Sequence, residues 1–201
     1  MYDDEFELTF DLSDEDKASR APEPEQEPVQ EAAPEPAAET EPPVEAVPEP
    51  AVPAANGRCV LISGGDRGIG AAAARAFWQA GYRVAVLYHT HAEEAAALEK
   101  ALPGLLAVQC DVASRASCEV AFHTVEQAVG HVDVLVSNAG IAQQKLFTDI
   151  TPEEWQHMLD VNLSGAFHLC QLALPGMIRR KAGRILTVSS MWGQTGGSCE
   201  V

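Results

Sequence analysis

Residues 58–81 read RCVLISGGDRGIGAAAARAFWQAG, and the order of the parts within this stretch decides the fold. RCVLIS is a short apolar run, suited to a strand covered on both faces. Gly64-x-x-x-Gly68-x-Gly70 turns the chain. AAAARAFWQAG is rich in strong helix formers and stops at Gly81. In a strand–turn–helix setting the three glycines have distinct tasks. Gly64 accepts a positive φ at the turn, Gly68 lets a pyrophosphate approach the backbone, and Gly70 lets the helix pack against the strand. The free N–H groups and positive dipole of the helix start then face the phosphates. Ile69 lies within the same backbone cradle. A purely structural turn is the alternative reading of such a glycine cluster.

The pattern repeats downstream. RVAVLY is a second strand, HAEEAAALEKAL a second helix ended by Pro103-Gly104, and LLAVQCDV a third strand. SRASCEVAFHTVEQAVG is a helix with Ser114 as candidate N-cap and Gly130 as stop. VDVLVSNAG is a fourth strand. Thr151-Pro152-Glu153-Glu154 opens a long helix with capping-box spacing, expected to run to about Arg180. GRILTVSS is the fifth strand. Strands alternating with helices of this length specify an α/β fold, a Rossmann-type doubly wound parallel sheet with helices on both faces. Ligands of such sheets bind beyond the carboxyl ends of the strands, where strand order reverses.

An NAD site usually carries an acid at the end of the second strand. Here that strand ends Leu87-Tyr88-His89-Thr90, with no acid, while Arg67 stands inside the glycine loop. A guanidinium there suits a 2′-phosphate, so the expected cofactor is NADPH. The alternative is a solvent-exposed arginine on a protein indifferent to the phosphate.

From about Arg58 to Val201 the chain resembles the short-chain dehydrogenase/reductase family, particularly its 3-oxoacyl-[acyl-carrier-protein] reductase-like members. The resemblance rests on the ordered set of the glycine loop, Asp111-Val112, Asn138-Ala139-Gly140, Asn162 in DVNLSGAF, and Ser189-Ser190. It implies that Asp111 bonds the adenine amino group while the Val112 backbone meets the ring. It implies that Asn138, Ala139 and Gly140 brace the sheet and line the cofactor's ribose. Asn162 would hold a water of the proton relay, and Ser190 would position the substrate carbonyl. Taken singly, each has a plainer reading: a helix cap for Asp111, a turn for Asn138, a satisfied helix kink for Asn162.

The implied activity is hydride transfer from NADPH to a ketone. The resemblance also implies a tyrosine as proton donor, with a lysine four positions on. Tyr2, Tyr82 and Tyr88 are the only tyrosines, and none has a lysine at that spacing. The expectation is therefore a Rossmann domain at residues 56–201 truncated after its fifth strand, with the Tyr-x-x-x-Lys pair past Val201 and little activity alone. The substrate expected from the resemblance is a 3-oxoacyl group on acyl carrier protein. The wording SSMWGQTGGSCEV is similar to a narrower group, reductases of the 5-aminopentanone modification on elongation factor P. A truncated fragment that binds nucleotide without catalysis is the other function class. Family members commonly form homo-tetramers.

Residues 1–55 are different in kind. They hold 17 Asp and Glu against two Lys and Arg, and ten of the 13 prolines, so the net charge of −17 is almost all theirs. Residues 21–55, without aromatics and dense in Pro and Glu, read as a disordered, extended linker. A segment for an SH3-like groove is the alternative. Phe6, Leu8, Phe10 and Leu12 alternate with polar residues, which suits either a strand-adding docking peptide or a frayed acidic terminus. No basic, apolar leader opens the chain, and no apolar run of about 18 residues occurs. The five cysteines lack metal-site or disulfide-framework spacing. A cytoplasmic protein is expected, with no metal and with neither nucleic acid nor membrane as partner.

Overall fold

The computed structural model describes residues 55–191. The acidic tail and the glycine-rich stretch after Met191 lie outside the described residues. The elements follow in strict alternation: β1 Cys59–Ser63, α1 Gly68–Gln79, β2 Arg83–Tyr88, α2 Ala92–Ala101, β3 Leu106–Gln109, α3 Arg115–Val129 and β4 Val134–Ser137. A 3-10 turn at Phe147–Asp149 leads to α4 Pro152–Leu159, a π turn Asp160–Ser164, α5 Gly165–Arg180 and β5 Arg184–Thr187. The sheet is parallel throughout, in the order β3-β2-β1-β4-β5. Strand order reverses beside β1, so the loops after β1 and β4 diverge there and leave a crevice at the carboxyl edge.

The apolar strands read as continuous runs because both faces are covered. Val60, Ile62, Val84, Val86, Val134 and Val136 pack with Ala74 and Trp78 of α1 and Leu98 of α2. The intervening residues Leu61, Ala85, Leu87 and Leu135 pack on the other side, with Cys118, Phe122 and Val125 of α3 and Leu169 and Met177 of α5. The period-2 alternation of the pleat thus serves two cores at once. The indole N–H of Trp78 donates to the Pro103 carbonyl at 3.0 Å, so the polar edge of a buried ring is satisfied.

The expected end signals operate. The Ser114 hydroxyl accepts from the Ser117 N–H at the start of α3. Thr151 and Glu154 form the full capping box of α4, and Lys145 Nζ lies 2.8 Å from the Glu154 carboxylate. The lysine and the Thr151 N–H hold that carboxyl below its ordinary range. Gly81, Gly104 and Gly130 all have positive φ where helices or turns stop. The long helix expected from Thr151 to about Arg180 is interrupted. The π turn adds one residue to the spiral around Asn162. Its cause is tertiary: the Asn162 side chain bonds backbone groups of Ile141 across the sheet's carboxyl edge.

Candidate functional site

The loop after β1 and the loop after β4 are stitched together. The Ser63 hydroxyl accepts from the N–H groups of both Asn138 and Ala139, each at 3.0 Å. The Asn138 amide N–H in turn donates to the carbonyls of Ser63 and Gly64. The glycine loop passes through this seam with no spare room. A Cβ on Gly70 would lie 2.0 Å from the Gly64 carbonyl oxygen, and one on Gly65 would lie 2.6 Å from Val86. Gly64 has φ +60, as the turn requires. Gly68 has φ +53, and a Cβ there would meet nothing within 4 Å. Its face is open to the cleft.

Helix α1 begins without a side-chain cap. Arg67 occupies the N-cap in an extended conformation, and its side chain accepts nothing from the first turn. No acidic residue stands in that turn either. The first N–H groups and the positive end of the helix dipole therefore face outward without a protein acceptor from the cap.

Around this start lies a cleft of about 370 Å³. Gly64, Arg67, Gly68 and Ile69 line one side, Asp111 and Val112 the end beyond β3, and Asn138, Ala139 and Gly140 the side beyond β4. These nine expected residues, distant in sequence, meet in one crevice because each follows the carboxyl end of a strand. Asp111 Oδ1 accepts from the Ala113 N–H at 3.0 Å, shaping its own turn. The Arg67 side chain is exposed and has no partner among the described residues.

Three expected residues are not among the cleft's lining. Gly70 sits behind it, against the Gly64 carbonyl. Asn162 accepts from the Ile141 N–H at 2.8 Å and donates to the Ile141 carbonyl at 2.9 Å. That contact fixes the segment after Gly140 onto the π turn. Ser190 follows β5 at the same carboxyl edge and is exposed. Other lining residues escaped the sequence reading: Asp66, His89, His91, Cys110 and His157 among them. Asp66 stood inside the glycine loop and His91 three residues past the second strand, so position alone could have flagged both. His157, on the face of a distant helix, gave no local signal.

A second, shallower surface hollow of about 420 Å³ lies between the end of α5 and β5, lined by Leu174, Met177, Ile178 and Ile185. It has no glycine cradle or helix start, so the chemistry gathers at the other cleft. No helix of the described residues is long and apolar enough to cross a membrane.

A parallel α/β sheet with a glycine-lined helix start at its switch point is the architecture of a dinucleotide-binding protein. Comparison with known proteins sharpens that class: residues 58–201 match the short chain dehydrogenase family, and the chain belongs to it. An acetoacetyl-CoA reductase of Shinella zoogloeoides is 40% identical over 139 residues, covering 69% of this chain and 57% of that protein. The 3-oxoacyl-[acyl-carrier-protein] reductase MabA of Mycobacterium avium is 40% identical over 144 residues, covering 70% and 53%. The crystal structure of gox2181 superposes with a TM-score of 0.63 at 32% identity, over 68% of this chain and 55% of that one. The chain thus spans a little over half the length of the relatives it matches.

The family implies a nicotinamide dinucleotide, and the residues present fit one. The cradle at Gly68 is empty of side chains, the α1 N-terminus lacks a side-chain cap, and the lining is polar at the loop and apolar at Ile69, Val112 and Ala139.

Proposed function

We propose that the protein is a cytoplasmic NADPH-dependent ketone reductase, and that these residues form its nucleotide-binding half. The observation that carries the reading is the convergence of nine loop residues on one cleft around an uncapped helix start. In this reading the Gly64–Gly70 backbone holds the pyrophosphate. Asp111 and Val112 hold the adenine, and Asn138–Gly140 flank the ribose. Arg67, unpartnered and at the cleft, is the group for a 2′-phosphate, and no carboxylate from the end of β2 competes for it. When bound, the nicotinamide supplies a hydride to the substrate carbonyl carbon.

The chain's own contribution to that chemistry is orientation. Ser190, at the carboxyl edge, donates a hydrogen bond to the carbonyl oxygen as negative charge develops there. Asn162 keeps the loop after β4 in register with the π turn. The substrate class proposed is a 3-oxoacyl thioester, by similarity to the relatives named above, with the ketone on elongation factor P as the narrower variant. Trp155, Leu163, Phe167, Leu174 and Ile178 expose apolar surface along α4, the π turn and α5, which supports assembly as a homo-tetramer. Light scattering on the whole protein that gives a monomer would contradict that assembly.

The test is a titration of the protein with NADPH and NADH, followed by turnover on acetoacetyl-CoA. Tighter NADPH binding, lost in Arg67→Ala, is expected. Equal affinities in wild type and variant would remove the assignment of Arg67. Nucleotide binding without turnover by the whole protein would favour a binding role over catalysis.

A further inference from the structure

The 2′-phosphate reading uses Arg67 and leaves two ionisable groups beside it unexplained. The Asp66 side chain is 5% exposed, and Oδ2 lies 3.6 Å from Nδ1 of His91, which is 34% exposed. Both line the cleft together with Arg67 and His89. A carboxylate this deeply buried needs a compensating charge or donor. Among the described residues, the His91 imidazole pairs with it when protonated. The same Nδ1 lies 3.2 Å from the Thr90 hydroxyl. The other ionisable groups here are His89 and His157, which line the same cleft with Tyr88 and Cys110, Glu93 and Glu94 in the first turn of α2, and Asp111 after β3.

Within the trio Asp66, Arg67 and His91, the charge turns on the His91 proton. Asp66 and Arg67 cancel, so the imidazolium form of His91 leaves the trio with a net charge of about +1, and the neutral form leaves it near zero. A 2′-phosphate senses that difference strongly, because it is close to a dianion above about pH 6. A ribose hydroxyl carries no charge and senses it little.

We propose that Asp66 and His91 form a proton-linked wall of the 2′-phosphate subsite, so that selection of NADPH over NADH weakens as His91 loses its proton. This rests on the NADPH reading of the cleft. The proton taken up by His91 on binding comes from solvent, and no covalent step is involved. Linkage fixes the sign: if binding favours the protonated imidazole, affinity falls as pH rises through the imidazole range.

The test is isothermal titration of the whole protein with NADPH and with NADH at about pH 6.5 and about pH 8.5, in two buffers of different ionisation enthalpy. NADPH affinity is expected to fall roughly three- to tenfold over that range, with proton uptake on binding, while NADH affinity changes less than about twofold. His91→Gln should bind NADPH weakly with no slope. Asp66→Asn should raise NADPH affinity at the higher pH, with circular dichroism checking that both variants fold. A slope shared equally by NADPH and NADH, or one that survives in His91→Gln, overturns the proton-linked wall alone. Binding of neither nucleotide by the wild type overturns the cleft reading and this inference with it.

Discussion

β1 and β5 are parallel strands of one sheet, both written in apolar residues, and they meet opposite fates. All five residues of β1 are buried, whereas all four of β5 are exposed. β1 pairs on both sides, with β2 and β4, and lies under helices on both faces. Among the described residues, β5 pairs with β4 alone. The other edge strand, β3, shows that an edge need not be bare: α2 and α3 cover it, and Leu106, Ala107 and Val108 are partly buried. An apolar run therefore specifies a strand, while its neighbours specify what burying it is worth.

The sharpest break in that comparison is a core deletion at each strand. Leu61→Ala, fully buried in β1, should cost about 2–5 kcal/mol. Leu186→Ala, 48% exposed in β5, should stay within about 0.5 kcal/mol. Urea unfolding midpoints measure both, and equal losses would show that β5 is covered in solution.

A second contrast lies within the glycine loop, on the closed side of the molecule. Gly70→Ala drives a methyl into the Gly64 carbonyl, 2.0 Å away, and should cost about 1–3 kcal/mol and abolish nucleotide binding. Gly68→Ala meets no atom, so only its left-handed φ resists, at about 1–2 kcal/mol. Denaturation and NADPH titration of the pair separate packing from backbone strain. Tight nucleotide binding by Gly70→Ala would mean that α1 can shift without opening the site.

The smallest expected effect belongs to the exposed start of α4. Thr151→Ala should cost about 1 kcal/mol by removing the cap acceptor. The Glu154 carboxyl is depressed in the folded state, chiefly by Lys145. Its stabilisation is therefore present above the ordinary carboxylate value and is lost as pH falls through the lower, folded one. Thermal melts taken downward in pH should show that loss in the wild type, and Glu154→Gln should remove it. An unchanged acid profile in the variant would mean that the Lys145 pair contributes nothing.

Much of this was legible in residue order. Strand, glycine turn and helix in the first quoted stretch announced the parallel sheet, and Ser114, Thr151 and Glu154 announced helix starts, because caps and turns are short-range chemistry. Nine cleft residues could be listed in advance, since each follows an apolar run by one to seven positions. A helix kink at Asn162 was one reading of the sequence, but its partner, the Ile141 backbone, is 21 residues away and was not legible. Nor was the role of Gly65, whose constraint is a single Val86 side chain on the next strand.

The sequence by itself determined the alternation of elements, the two-faced burial of the central strands and the identity of the residues at their carboxyl ends. Those follow from side-chain period, propensity and capping, which act over a few residues. Only the tertiary structure decided which of those ends meet, that Asn138 sews one loop to another, that β5 pairs beside β4, and that Asp66 is buried against His91. These depend on strand order, which brings residues distant in the chain to within a few ångströms and sets how much water and charge each one keeps.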